Sequence, residues 1–418
     1  MKSYRIEQRV PQVSAAHEMQ SLAVRQDRNS MPETGSGVFA ICARIGVGLL
    51  YAACAFAAVA QSPADLNFHF RNVVDNRQTL SGFNSFPAIN DSGAVVFTAS
   101  EAGVGQGVFK WKNGAVTRIA SSGAGVLSGF GNAPVIDAQG RVAFDADVST
   151  GGRSIFLQDD ISSKTIVNTQ EQGLIGRFLG APSINREGTV AFFGTRTGFT
   201  SQAIFVGDGG PLRIVLDTTN SDFTGFQNVA INSTGKVVFV GDRLDGSEGM
   251  FIADSRNGVA SPASPAQPID VVDTNNPDFI GFGDPVINYF GIVADEAFRS
   301  DGSVEILSGT QHRVTARTDV ANPVFTEFEH PSINDEGAVA FFAVKSSGVQ
   351  GIYMEVTGGA SPVPVVQTGD TLFGSTVTFV DLGRFALNVR FQAVFAYELA
   401  DGRTGVAIAS LGADRDSN

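Results

Sequence analysis

The stretch Pro87-Ala-Ile-Asn90-Asp-Ser-Gly93-Ala-Val-Val-Phe97 places two short runs of strand-forming residues on either side of a tight turn. An Asx residue at the first turn position caps the backbone two residues on, and a glycine three residues later tolerates a positive φ. Val95 and Phe97 alternate with their neighbours, which is typical of a strand with one buried face. The stretch therefore predicts a β-hairpin.

The same hairpin recurs along the chain. Six of its seven copies carry Gly three residues after the Asx, and successive copies are 47, 48, 47, 56, 46 and 54 residues apart. A period of this size, with β-branched and aromatic residues around each turn, predicts units that stack on one another instead of folding alone. The repeated Asx residues are Asn90, Asp137, Asn185, Asn232, Asn288, Asn334 and Asn388.

Each repeat is predicted to contain four strands. In the first repeat these are Pro87–Asn90, Ala94–Ala99, Gln106–Trp111 and Val116–Ser121, each bounded by turn residues. The alternating Val and Phe of the second strand are expected to form the core between sheets. A connector with one aromatic residue precedes each of the first six copies, and such an aromatic stripe predicts core packing. The connector residues are Phe83, Phe130, Phe178, Phe226, Phe282 and Phe328.

The two ends of the chain complement each other. The seventh repeat stops after its third strand, whereas Phe70–Asp75, ahead of the first repeat, resembles the fourth-strand segment Ile269–Asp273. A deficit at one end and a surplus at the other suit a closed ring. We therefore predict that residues 61–418 form a seven-bladed β-propeller of four-stranded antiparallel blades, closed by an N-terminal strand that completes the last blade. Two copies depart from the pattern, with Asp295 in place of Phe and Phe391 in place of Gly.

The recurring Asn, Gly and Ala/Val-Phe resemble the bacterial exported tandem repeat family that is described by an NxxGxxAF motif and carries a varied choice of C-terminal anchors. The resemblance covers nearly all of residues 68–410. It implies export and a repeat structure, and it implies no assigned activity.

Residues 1–60 are predicted to be a polar leader followed by an export signal. Ile45–Ala60 is an apolar run that ends in Ala58-Val-Ala60 before Gln61. Small residues three and one positions before the cleavage point suit a signal peptidase, and the run is short for a membrane span. We expect cleavage near Ala60/Gln61, a secreted or periplasmic location, and no stable membrane span in the mature chain. A retained N-terminal anchor and a lipid anchor on Cys54 are the alternatives.

Composition limits the partners that we expect. The formal charge of −13 includes a leader with more basic than acidic residues, so the mature chain is still more acidic and nucleic acid is not an expected partner. Both cysteines, Cys42 and Cys54, lie in the leader, so disulfides are not expected. With only His69, His312 and His330 after the leader, we expect no metal site, and we expect no cofactor. The expected state is a monomer that binds a protein or a glycan.

Several carboxylates follow the second strands, and we interpret them as solvated loop charges. They are Asp145, Asp147, Asp242, Asp245, Asp295, Glu296 and Glu398. A second set lies four residues before each repeated Asx, where the innermost strand is expected to begin, so its members should form a ring at one mouth of a central channel. This set is Phe86, Ala133, Ala181, Asn228, Asp284, His330 and Arg384.

The ring is apolar in blades 1 to 3 and polar in blades 4 to 7, so Asn228, Asp284, His330 and Arg384 are the candidate ligand-binding residues. The favoured function is an exported, noncatalytic binding or interaction propeller for a protein, a glycan or a small polar ligand. The alternative is a propeller hydrolase or lyase at the channel mouth. In that alternative His330 shuttles a proton, Asp284 orients it and Arg384 holds an anion.

Overall fold

The computed structural model describes residues 66–412, apart from 84–85, 171–173, 199, 258–268, 310–312, 319–320, 322–323 and 357–360. The predicted leader and its cleavage point lie outside the described residues. The described chain is almost entirely β-structure, with two short 3-10 helices at Ser122–Ala124 and Ser255–Asn257. None of the helices in this part of the chain has the length and apolar character needed to cross a membrane.

The described strands form seven antiparallel sheets, which we number as blades in chain order. Strands are given from the channel outward, and two ranges joined by 'with' are the two pieces of an innermost strand: blade 1 consists of Leu80–Ser81 with Ala88–Ile89, Val95–Glu101, Gly105–Lys112 and Ala115–Ser121, and blade 2 of Leu127–Ser128 with Val135–Ile136, Val142–Val148, Arg153–Gln158 and Ser163–Asn168. Blade 3 consists of Ile175–Phe178 with Ser183–Ile184, Val190–Arg196, Gln202–Gly207 and Arg213–Asp217. Blade 4 consists of Phe223–Ile231, Lys236–Arg243, Glu248–Asp254 and Ile269–Asp273.

The remaining blades repeat this order. They are blade 5, Phe279–Phe282 with Val286–Ile287, Val293–Arg299, Val304–Ser308 and Arg313–Arg317; blade 6, Phe325–Ile333, Val339–Lys345, Gln350–Glu355 and Val363–Gln367; and blade 7, Ser375–Leu387, Gln392–Leu399, Thr404–Leu411 and Phe68–Asp75, with Thr371–Leu372 paired to the start of its innermost strand.

The N-terminal strand closes the ring, as predicted. Phe68–Asp75 pairs antiparallel with Thr404–Leu411 over the registers Phe68↔Leu411 to Asp75↔Gly405. Val74, at 1% exposure, is buried in the core that blade 7 shares with blade 1, and the Tyr397 hydroxyl donates to Asn72 Oδ1 at 3.0 Å. The fold is thus the seven-bladed β-propeller that the repeats predict.

The alternating Val and Phe of the second strands form the core between blades, also as predicted. Val95 and Phe97 are completely buried, and the equivalent pairs in the other regular repeats are at most 2% exposed. Phe97 stacks on Phe109 of the third strand with ring centroids 5.9 Å apart, and Phe83 packs on it from the other side at 6.1 Å. Burying such rings contributes roughly 1.5–3 kcal/mol each, so the core between blades is the main source of stability.

The innermost strands are longer than predicted. Four of the six aromatic residues interpreted as connectors belong to their first halves, as Phe226 does in Phe223–Ile231 and Phe328 in Phe325–Ile333. In blades 4, 6 and 7 the pairing with the second strand shifts register in the middle of this strand, and in the other blades the strand is divided in two. The prediction that it begins four residues before each Asx is therefore wrong, because those residues lie at the interruption.

The repeated Asx residues cap their own turns and also join neighbouring blades. Asn90 Oδ1 accepts the amides of Ser92 and Ala94 at 3.1 and 2.9 Å. Its Nδ2 donates to the main-chain carbonyl of Asp137 in the next blade at 2.8 Å. Equivalent bonds, which we call the asparagine girdle, are Asn185 to Asn232, Asn232 to Asn288, Asn288 to Asn334, Asn334 to Asn388 and Asn388 to Asn90.

Blade 2 is the exception in the girdle. A carboxylate has no hydrogen to donate, so Asp137 cannot make the equivalent bond to blade 3. Its Oδ2 instead accepts from Arg141 Nε at 2.5 Å. In blade 7 the residue three positions after the Asx is Phe391, which adopts φ 54° where six other turns have glycine. The turn geometry therefore survives without glycine in one blade.

Candidate functional site

A phenylalanine divides the channel into two cavities. Phe385, from the innermost strand of blade 7, lines the cavity at the Asx turns and also the cavity on the other side. Its ring packs against four of the hydrophobic clusters between blades, which together involve blades 1 to 6. The channel therefore has two separate ends, which we call the girdle mouth and the opposite mouth.

The girdle mouth is crossed by ion pairs. Arg186 of blade 3 reaches Asp91 of blade 1 and Asp335 of blade 6, with its Nη2 at 2.6 Å from an oxygen of each carboxylate. Asp335 also accepts the amide of Tyr289 at 2.8 Å. The charges at this end are thus paired with one another.

The opposite mouth contains the candidate ligand-binding residues. Asn228, Asp284, His330 and Arg384 all line one cavity of about 180 Å³ with Phe385 at its base. The apolar members of the predicted ring, which are Phe86, Ala133 and Ala181, line the same cavity. The seven positions therefore surround one space, with an apolar wall from blades 1 to 3 and a polar wall from blades 4 to 7.

The interruptions of the innermost strands determine where these side chains lie. Asn228 and His330 adopt φ values of 45° and 52°, which are uncommon for residues other than glycine. Each occupies a register shift, between Gln227 and Ala230 in one case and between Glu329 and Ser332 in the other. Strained backbone of this kind is retained mainly where a site requires it.

Arg384 extends from blade 7 to the far side of the channel. Its Nη2 donates to the carbonyls of Val229 in blade 4 and Pro285 in blade 5, at 3.2 and 2.5 Å. The guanidinium carbon lies 5.5 Å from the ring centroid of Phe385. Burial lowers the pKa of Arg384, although Asp284 and Asp295 oppose that effect. Much of this cation is therefore used to hold blades 4, 5 and 7 together.

His330 and Asp284 form a pair beside it. His330 Nδ1 lies 3.5 Å from Asp284 Oδ2, and the two side chains are 24% and 28% exposed. Burial would lower the pKa of His330, but the interaction with Asp284 raises it above the ordinary value. Burial would also raise the pKa of Asp284, but His330 and Arg384 lower it overall. Both shifts favour the charged forms, so the pair presents an ion pair with polar atoms at the cavity wall when His330 is protonated.

Most of the carboxylates that were interpreted as loop charges lie within second strands, including Asp242 and Glu398, and only Asp245 lies in a turn. Asp295 and Glu296 belong to the strand Val293–Arg299 and are 0% and 9% exposed, so they are not solvated loop charges. Burial raises the pKa of Asp295 well above its ordinary value and that of Glu296 to about 7. Asp145 and Asp147 also lie within a strand, where both bind Arg153. The signal for Asp295 was present in the sequence, since it replaces the core Phe of other repeats.

The polar groups here are incompletely satisfied. Asp295 Oδ1 accepts the amide of Glu296 at 2.8 Å, whereas its Oδ2 is buried without a hydrogen-bond partner among the described residues. Arg384 Nε is also buried without a hydrogen-bond partner among the described residues. Asp295 and Arg384 influence each other electrostatically. Because burial raises the pKa of Asp295, this carboxyl neutralises little of the charge that Arg384 brings from blade 7.

The fold and this mouth define a class of protein: a closed seven-bladed β-propeller whose channel is blocked, with a small cavity at one end that has one apolar wall and one polar wall. The chain belongs to a family described as a family of unknown function, DUF7453, which matches residues 70–407. No curated protein matches the sequence.

Solved propeller structures have low similarity to the chain. TolB from Acinetobacter baumannii is 15% identical with a TM-score of 0.43, over 66% of this chain and 65% of that one, so this chain spans about two thirds of TolB. YCF48 from Cyanidioschyzon merolae is 10% identical with a TM-score of 0.43, over 82% of this chain and 98% of that one. The WD40 domain of SCAP from fission yeast is 10% identical with a TM-score of 0.41, over 83% and 98%.

Proposed function

We propose that this protein is an exported, noncatalytic binding propeller that holds one small polar ligand in the cavity at the opposite mouth. The observation that carries the proposal is the convergence of Asn228, Asp284, His330 and Arg384 on one closed-ended space of about 180 Å³. Concave sites with a few placed polar groups are where proteins bind small ligands. The export signal expected before Gln61 and the resemblance to the NxxGxxAF repeat family support the exported location.

The two walls suggest the chemistry of the ligand. Phe86, Pro134 and Pro182 contribute to an apolar wall, and the amide of Asn228 and the pair Asp284 and His330 offer donors and acceptors opposite it. A single sugar unit fits this arrangement, because its ring has a face of C–H groups and a rim of hydroxyls. We therefore propose a neutral sugar unit, free or at the end of a glycan.

The hydrogen bonds of Arg384 favour binding over hydrolysis or lyase chemistry. The enzyme alternative requires this guanidinium to hold an anion, but its Nη2 donates to two main-chain carbonyls. The carboxylate of Asp284, whose pKa is lowered, would also repel an anionic substrate at the cavity wall. A neutral polar ligand avoids both problems.

The test is a panel of neutral monosaccharides and disaccharides, measured by thermal shift and then by calorimetry on the protein from Gln61. A ligand that binds only the native state raises its melting temperature. Asp284→Asn should weaken binding roughly tenfold or more, because a hydrogen bond to a charged group is worth about 1.5–3 kcal/mol. Asp335→Asn, which makes the same charge change at the girdle mouth, is the matched control.

Two results would contradict the proposal. A panel without a binder would remove the sugar as the ligand class. A sugar that binds Asp284→Asn as tightly as the unchanged protein would place the site elsewhere on the propeller, provided that calorimetry and melting show that the variant is folded.

A further inference from the structure

A third cavity, larger than the one at the opposite mouth, lies where the ring closes. It measures about 270 Å³ and is lined by residues of blade 7 and blade 1, with Asn132 of blade 2 at its edge. Phe86 and Asn132 separate it from the smaller cavity at the opposite mouth, since both residues line both spaces. The proposed sugar site does not depend on this cavity, and its own chemistry is different.

Four aromatic residues form much of its wall. Phe83 and Phe86 come from blade 1, and Phe379 and Tyr397 come from blade 7. Phe83 and Tyr397 are fixed by burial at 4% and 1% exposure, whereas Phe379 is 38% exposed at the rim. The Phe86 ring is held edge-on against His330 at 4.8 Å between centroids. The aromatic surface is therefore largely preformed.

Two carboxylates complete the wall. Asp381 Oδ1 accepts the amide of Leu382 at 2.8 Å, and no described residue donates to its Oδ2. Glu398 is exposed and forms no ion pair with the described part of the chain. Burial raises the pKa of Asp381, and this effect outweighs the opposing influence of His330, which makes no ion pair with Asp381. None of the described residues that line the cavity is basic.

Aromatic faces and unpaired carboxylates attract the same kind of ligand. The π-face of an aromatic ring is negative, so a cation that sits against several rings gains from each of them and from the carboxylates. An anion would be repelled, and a neutral apolar ligand would leave Asp381 without a partner. Among the described residues no group of three acidic, histidine or cysteine side chains is arranged to hold a metal ion.

We propose that this cavity is a binding site for an organic cation, namely an alkylammonium group of the choline or lysine type. The positively charged head would lie against Phe86 and Phe379 with Asp381 and Glu398 as its counter-ions. The site is distinct from the proposed sugar site and remains open to test if that proposal fails.

The experiment is calorimetry of the protein from Gln61 with choline chloride. The neutral carbon analogue 3,3-dimethylbutan-1-ol has the same shape without the charge, and it should bind roughly tenfold more weakly or not measurably. Nα-acetyl-lysine amide, used as a second probe, distinguishes a side-chain ammonium from a small free cation. Binding of either probe supports the class, and the tighter one identifies the source.

Two isosteric variants test the carboxylates. Asp381→Asn keeps the oxygen that accepts the Leu382 amide, and Glu398 is exposed, so neither Asp381→Asn nor Glu398→Gln should disturb the fold. Each should weaken choline binding roughly tenfold, since a partly desolvated cation loses a counter-ion. Glu327→Gln is the matched control, because Glu327 is an exposed carboxylate of blade 6 that does not line the cavity.

Three outcomes would overturn the proposal. The first is the absence of saturable binding by both ammonium probes. The second is equal affinity for choline and its neutral analogue. The third is a loss of affinity in Glu327→Gln as large as in Asp381→Asn, which would mean that choline responds only to the overall charge.

Discussion

The asparagine girdle predicts that Asn388→Asp destabilises the propeller. Asn388 is 2% exposed, and its Nδ2 donates to the Asn90 carbonyl and to Gln392 Oε1, each at 3.0 Å. Aspartate keeps Oδ1, which caps the amides of Arg390 and Gln392, so the turn itself is preserved. The substitution therefore removes only the donor, at the junction where the last blade meets the first.

The magnitude follows from those contacts. Two hydrogen bonds are lost, each worth about 1 kcal/mol net, and the buried Asn90 carbonyl keeps no partner from the girdle, which costs about 1–3 kcal/mol. We expect a loss of about 3–5 kcal/mol, a large part of the roughly 5–15 kcal/mol that stabilises a typical domain. The new carboxylate also has a raised pKa, because it is buried beside acceptors. The loss should therefore be smaller at pH 5, where protonation restores a donor, than at pH 8.

Blade 2 provides a rescue. There the same position is Asp137, and Arg141, four residues later, binds its carboxylate. Gln392 occupies the equivalent position after Asn388. The double variant Asn388→Asp/Gln392→Arg should therefore regain about half of the lost stability, because a partly buried charge pair is again complete.

Urea unfolding followed by fluorescence measures these changes. Trp111 is the one tryptophan of the chain, it is 5% exposed, and it lies in the core shared by blades 7 and 1. Asn220→Asp is the control, because Asn220 is exposed and outside the girdle. If Asn388→Asp lowers stability at pH 8 by no more than Asn220→Asp does, the girdle does not stabilise the ring and this reasoning is wrong.

Three further predictions concern other parts of the ring. Val74→Ala should lower stability by about 2 kcal/mol in urea, since Val74 is 1% exposed in the closing strand; an unchanged midpoint would contradict the closure energetics. Stability should fall as pH rises from 5 to 8, because the pKa of Glu296 is raised to about 7 and that of His330 is raised, so the native state binds more protons in that window. The Glu296 contribution is about 3 kcal/mol, and Glu296→Gln should flatten the profile; parallel profiles would refute the assignment. Phe385→Ala should cost about 3 kcal/mol and join the two cavities, which a crystal structure of the variant would show or disprove.

The number of blades and the closure could be predicted because local chemistry repeats. Each hairpin has an Asx cap and a residue with positive φ, and the second strands of the five regular repeats bury a Val and a Phe, so these residues recur at intervals of 46 to 56 residues. The closing strand could be recognised because Phe70–Asp75 has the same alternation as a fourth strand. The innermost strands were predicted too short, because a register shift at residues such as Asn228 breaks the alternation that identifies a strand.

The buried acidic residues Asp295 and Glu296 could not be predicted, because the residues that surround them in the fold lie far away in sequence. Asp295 interrupts a pattern of core aromatics, and within its own repeat it only indicates a degraded copy. Its electrostatic neighbour is Arg384, which crosses from blade 7 and contacts Pro285, 99 residues earlier in the chain. No local pattern in blade 5 contains that information, although a buried acid in a core position always requires a partner or a shifted pKa.

The two mouths of the channel differ for a related reason. The girdle bonds end on main-chain carbonyls, which every residue type provides, so the repeats can keep this asparagine in six of the seven blades and still vary elsewhere. At the opposite mouth each blade contributes a side chain at an interruption of its innermost strand, and no contact that repeats from blade to blade fixes the residue type there. Phe86, Ala133 and Ala181 can therefore differ in character from Asp284 and His330 without loss of the fold. A ring of near-identical blades can build an asymmetric site only at positions of this kind, and this is why we place the ligand at the opposite mouth.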